Sequence, residues 1–135
     1  MKLERVLPYV KTLLKSTVTP GDHVIDATAG NGHDSLFLAQ LVGMSGHVYS
    51  FDVQESAIES TLLRLADWRD NTTVIHAGHE TIKNYVHAEI SAAVFNLGYL
   101  PGADHSIITR PETTIKAIES CLKLLKVGGL IVLVV

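Results

Sequence analysis

The sequence predicts an α/β fold, with a mostly parallel sheet and helices on both of its faces. Two observations carry this. Strand-like apolar runs alternate with stretches of helical spacing along all 135 residues, the order that right-handed crossovers between parallel strands produce. Several of those runs are apolar throughout, as strands covered on both faces are.

The elements follow in order. Leu3, Val6, Leu7, Val10, Leu13 and Leu14 recur at helical spacing over residues 2–16, which predicts an amphipathic helix. Lys2, Arg5, Lys11 and Lys15 occupy its other face. Thr19-Pro20-Gly21-Asp22 makes a turn. A first strand spans residues 23–27, and a helix begins over 34–41 after a glycine-containing loop. A second strand spans 47–52. The helix over 55–68 is expected to turn Ile58, Leu62 and Leu65 inward. A third strand (72–76), a short helical stretch (80–86) and a fourth strand (90–96) come next. The helix over 113–125 is expected to bury Ile115, Ile118, Leu122 and Leu125. Lys126-Val127-Gly128-Gly129 should stop it, and 130–135 reads as a fifth strand.

Length and composition bound the functional classes. The chain is one domain by length, residues 1–135. With 47% apolar and 19% charged residues it is a globular chain with a core, not a disordered one. No apolar run reaches the roughly 18 residues that cross a membrane. The N-terminal residues carry charges and form no apolar signal segment. A net charge of −3 gives no broad basic signal for nucleic acid. Cys121 is alone and sits in an apolar pattern, so it reads as a small core residue in a reducing, cytoplasmic setting. His76 and His79 have metal-pair spacing but no further ligands nearby, so no metal is expected.

The most informative stretch is Val24-Ile25-Asp26-Ala27-Thr28-Ala29-Gly30-Asn31-Gly32-His33-Asp34. A strand runs into a glycine turn and then a helix, which lets backbone approach a ligand closely. Asp52 ends the next strand, 20 residues after Gly32. A carboxylate there can accept both hydroxyls of a ribose, with Val53 and Gln54 edging the attached base. Asp26 stands where it could receive an ammonium group, and backbone N–H groups over Asn31–Asp34 suit a carboxylate. A capped turn and a solvated strand end are the plain alternative.

On these residues the chain resembles class I S-adenosylmethionine-dependent methyltransferases, which implies a Rossmann-like fold. The match is to their glycine motif, their acidic second-strand motif and Gly128-Gly129 before strand five. Thr28 stands where their pattern has its first glycine. The implied cofactor-binding set is Asp26, Thr28, Gly30, Asn31, Gly32, Asp34, Asp52, Val53, Gln54, Asn96 and His79, the last at a position that commonly faces adenine.

Strand four ends in Val94-Phe95-Asn96-Leu97-Gly98-Tyr99-Leu100-Pro101. Amino-directed methyltransferases place Asn/Asp-Pro-Pro-Tyr/Phe here. Asn96 and Tyr99 keep the outer members at the same spacing, while Leu97-Gly98 replaces the two prolines. In such a motif the Asn oxygen fixes the amine's hydrogens, and the aromatic ring stacks on the base. Asp104 and His105 follow as candidate proton acceptors. The implied catalytic set is therefore Asn96, Tyr99, Asp104 and His105.

Together with residues 109–114 and Gly128-Gly129, these motifs resemble, over essentially the whole chain, the family labelled rRNA methylases. Its members include a tRNA 5-aminomethyl-2-thiouridine methyltransferase. The resemblance implies N-methylation of the aminomethyl group on a wobble uridine, with the anticodon region of tRNA as partner. Arg110, Lys116, Lys123 and the N-terminal basic residues are candidates for phosphate contacts. An rRNA or small-molecule methyltransferase, an NAD-dependent oxidoreductase using Asp52, and a binding module without chemistry stay open as alternatives. The family adds a helix and a closing pair of strands after strand five. This chain therefore reads as C-terminally incomplete, with an open apolar edge that invites a homodimer.

Overall fold

A computed structural model of the chain describes residues 8–97 and 111–135. Five strands form one sheet: β1 (His23–Asp26), β2 (His47–Asp52), β3 (Thr72–His76), β4 (Ile90–Asn96) and β5 (Leu125–Val134). Their order is β3-β2-β1-β4-β5, and every pairing is parallel. The helices are α1 (Pro8–Thr17), α2 (His33–Val42), α3 (Glu55–Arg64), α4 (Ile82–Tyr85) and α5 (Pro111–Leu124). Residues 2–7 of the predicted N-terminal helix lie outside the described residues.

Successive strand residues point to opposite faces, and both faces are covered. Val24, Val48, Ala92, Val94 and Val132 pack with Val10 and Leu14 of α1 and Leu38, Ala39 and Val42 of α2. On the other face Ile25, Phe51, Ile75, Ala93 and Phe95 pack with Ile82 of α4 and Ala117 and Cys121 of α5. Cys121 is thus a core residue, and burial pushes its thiol up to about 12. β4 is the central case: Ile90 through Phe95 are all buried, which is why its sequence does not alternate.

Three expectations are corrected. Leu65 is buried as expected, but Leu62 is 53% exposed and α3 buries Ala57 and Thr61 in its place. On α5, Ile115 and Leu122 are also more than half exposed, and the buried stripe is Thr114, Ala117, Ser120 and Cys121. Finally, Lys126–Gly129 do not separate helix from strand. β5 starts at Leu125 opposite Ile90 and resumes at Leu130 opposite Ala92, so residues 126–129 bulge out against Ser91. Gly128 takes φ +84° within that bulge. Lys126 reaches Asp22 at 3.6 Å from it.

Candidate active site

The sheet order reverses between β1 and β4, and in open parallel sheets ligands bind outside the carboxyl ends of the strands at such a point. The residues singled out in the sequence meet there. The loop between β1 and α2 carries Gly30 at φ +55° and Gly32 at φ +85°. Gly30 faces open space, with Thr28 O at 4.0 Å the nearest atom to an added Cβ. Gly32 lies against α3 instead, where a Cβ would sit 3.0 Å from Thr61 Cα and 3.3 Å from its Oγ1. That contact is with helix backbone, which cannot yield cheaply. Gly32→Ala is expected to destabilise the domain by about 1–3 kcal/mol through strain and crowding, read from urea unfolding.

α3 fixes the loop by two further bonds. Thr61 Oγ1 donates to Gly30 O at 3.0 Å, and Arg64 Nε donates to Asn31 O at 2.8 Å. Neither residue stood out in the sequence, because both act through loop carbonyls 31 and 33 positions away.

Asp52, at the end of β2, is half-buried. Its Oδ2 accepts from Gly30 N–H and its Oδ1 from Gln54 N–H, both at 2.9 Å. An ionised carboxylate has about four acceptor positions, so two remain for a ligand's hydroxyl pair. Val53 beside it is 47% exposed, and His76 Nε2 lies 3.0 Å from the Val53 carbonyl.

Asp26 is placed differently. It is fully buried; its Oδ1 accepts from Thr28 N–H at 3.1 Å and its Oδ2 from Ser35 Oγ–H at 2.7 Å. Ser35 in turn meets Ser50 Oγ at 2.7 Å. Burial first, and then the charge of Asp34, push its carboxyl up from 3.8 to about 7. Asp34 itself is buried at the first turn of α2.

The sign of the pH effect follows. A carboxyl whose pKa is higher folded than unfolded contributes stability below the unfolded value, and loses it as pH rises through the folded one. Wild-type protein should therefore lose melting temperature relative to Asp26→Asn between about pH 4 and pH 7. Parallel pH dependence of the two proteins in thermal melts would contradict this.

His79 is buried, with its ring edge-on to Phe95 at 5.3 Å. Its Nδ1 is 3.2 Å from the Ala27 carbonyl, which can only accept, so that nitrogen carries the proton. Burial holds the imidazole below its ordinary pKa, and the ring braces the end of β1. His33 lines a shallow hollow of about 160 Å³ with Lys11, Phe37 and Gln40, between α1 and α2.

Asn96 closes β4 and is half-buried. Its backbone N–H donates to Thr28 Oγ1 at 2.7 Å, tying the end of β4 to the glycine loop. Tyr99, Asp104, His105 and Arg110 lie outside the described residues. Among the described residues no cluster of three or more His, Cys, Asp or Glu could hold a metal. None of the described helices is long and apolar enough to cross a membrane.

This strand order, with the glycine turn after β1 and the carboxylate at the end of β2, is that of a Rossmann-like α/β fold. The family model of the putative rRNA methylases matches residues 48–135. The chain belongs to that family.

The crystal structure of a putative rRNA-methylase from Clostridium thermocellum is 47% identical, with a TM-score of 0.87, over 91% of this chain and 67% of that one. A putative methyltransferase from Streptococcus mutans, solved in complex with SAH, is 43% identical, with a TM-score of 0.83, over 94% of this chain and 71% of that one. The chloroplastic tRNA (mnm(5)s(2)U34)-methyltransferase of Arabidopsis thaliana is 39% identical over 133 residues, 90% of this chain and 48% of that protein. The chain thus spans about half the length of that curated relative.

Proposed function

We propose that this chain binds S-adenosylmethionine at the carboxyl edge of its sheet and methylates an amine on tRNA. The acceptor is the aminomethyl group of 5-aminomethyl-2-thiouridine at the wobble position, giving 5-methylaminomethyl-2-thiouridine. The observation that carries the reading is one of placement. Asp52, with two acceptor positions left, and the Gly30 turn lie beside Asn96 across the β1/β4 switch point. The substrate rests on the Arabidopsis relative, a tRNA (mnm(5)s(2)U34)-methyltransferase.

The residues present fit the cofactor. Asp52 would take the ribose hydroxyls, Val53 and Gln54 would edge the adenine, and the Gly30–Asp34 turn would face the methionine end. When bound, the cofactor supplies a methyl group on an electron-poor sulfonium. The chain's own task is to present a neutral amine in line with it. The Asn96 side-chain oxygen accepts the amine's hydrogens and so points its lone pair. An alkyl amine is largely protonated at neutral pH, so a base must take a proton; Asp104 and His105 are the proposed acceptors. The same reading sets the reaction in the cytoplasm, whereas the Arabidopsis relative is chloroplastic.

Two measurements test it. Calorimetric titration with S-adenosylmethionine and with NAD should give heat for the first; heat with NAD alone would overturn the reading. Labelled methyl from the cofactor should appear in tRNA lacking this methylation, in the modified uridine by nucleoside mass spectrometry. Label in rRNA only would keep the methyltransferase and refute the acceptor.

A further inference from the structure

The end of β1 leaves the ladder it shares with β4 abruptly. Ala27 N–H still donates to Val94 O at 2.9 Å, but Ala29 N–H donates to Phe51 O, on β2, at 2.9 Å. Within two residues the backbone has exchanged one neighbour for the other. In a regular parallel ladder the Ala27 carbonyl would accept from Asn96 N–H. Here that carbonyl faces His79 Nδ1 instead. The Asn96 N–H would lose its partner at the point where the crevice opens. Thr28 Oγ1 takes its place, at 2.7 Å.

From this geometry we infer that Thr28 is a positioning residue for the acceptor site, its hydroxyl standing in for the missing ladder carbonyl and fixing the backbone that carries Asn96. The inference rests on the reading of Asn96 given above. Thr28 is itself held: its N–H donates to Asp26 Oδ1, and Asp26 Oδ2 accepts from Ser35. On its far side β4 is secured by Leu97 N–H donating to Val134 O at 2.8 Å. Asn96 therefore sits between a backbone bond to β5 and a side-chain bond to the cofactor loop. A glycine at position 28 would loosen the loop and offer no acceptor.

The test compares Thr28→Val, which keeps the shape and removes the acceptor, with Thr28→Ser, which keeps the acceptor. Both are made in the intact protein beside Asn96→Ala. In the cofactor-free protein, Thr28→Val should speed hydrogen exchange of the Asn96 amide, and Thr28→Ser should not. In the tRNA assay Thr28→Val should lower kcat about tenfold or more, with cofactor Kd within about twofold, and Thr28→Ser should restore most of the loss. Unchanged exchange and turnover in Thr28→Val, with Asn96→Ala impaired, would overturn the role of Thr28 alone. A cofactor affinity that falls in step with turnover would make Thr28 a cofactor-loop residue and overturn it too. Full turnover in Asn96→Ala would overturn the reading of Asn96 beneath it.

Discussion

Replacing Asn96 with alanine is expected to lower methyl transfer to tRNA by about 10²-fold while leaving cofactor affinity within about twofold. The asymmetry comes from where the residue is held. Its backbone is fixed by the bond from its N–H to Thr28 Oγ1 and by the ladder to β5. Alanine keeps both, so the strand end should stay in place. What is lost is the side-chain amide, and with it the acceptor that orients the incoming amine. Orientation of a reacting group contributes to the rate without contributing to the binding of the other reactant. Single-turnover rates with labelled cofactor, set beside calorimetric Kd values, separate the two. Equal losses in both would place the Asn96 side chain against the cofactor instead.

Asp52→Ala is expected to give the opposite pattern: cofactor affinity weakened by about 1–3 kcal/mol, roughly 5- to 150-fold, through lost charge-assisted hydrogen bonds. Two effects act together. The ribose hydroxyls lose their acceptor, and the carboxylate no longer joins Gly30 N–H to Gln54 N–H. The second effect loosens the glycine turn at the position where backbone approaches the ligand. Asp52→Asn keeps one oxygen and should fall between wild type and alanine. Titration of the three proteins at one salt concentration decides it, and an unchanged Kd for Asp52→Ala would remove this residue from the cofactor site.

The strands were the most legible part of the sequence. β2, β3 and β4 have the bounds that the sequence predicts, although among the three burial is near complete only along β4, and β3 buries just Ile75. The helices were less legible. Ile115 and Leu122 drew the eye to one face of α5, but the helix packs through Thr114, Ala117 and Cys121. Residue size and spacing do not say how near the sheet is. The glycine turn and Asp52 could be read from local order alone. Burial of Asp26 could not, since its partners Ser35 and Ser50 reach it from α2 and β2. The bond from Asn96 to Thr28 joins residues 68 apart and leaves no local pattern. Thr28 was visible only as a departure from a glycine pattern, with nothing in the sequence to say what its hydroxyl meets.

The hydroxyls of Ser50 and Ser35, the carboxyl of Asp26, and the backbone N–H and hydroxyl of Thr28 link β2, beneath the glycine turn, to the backbone of β4. This polar seam passes between the apolar clusters on the two faces of the sheet. No member can be exchanged for an apolar residue without orphaning its neighbour. Substitutions along the seam should therefore fail to add, and the two halves of the crevice, though they belong to different strands, are inherited as one mechanical unit.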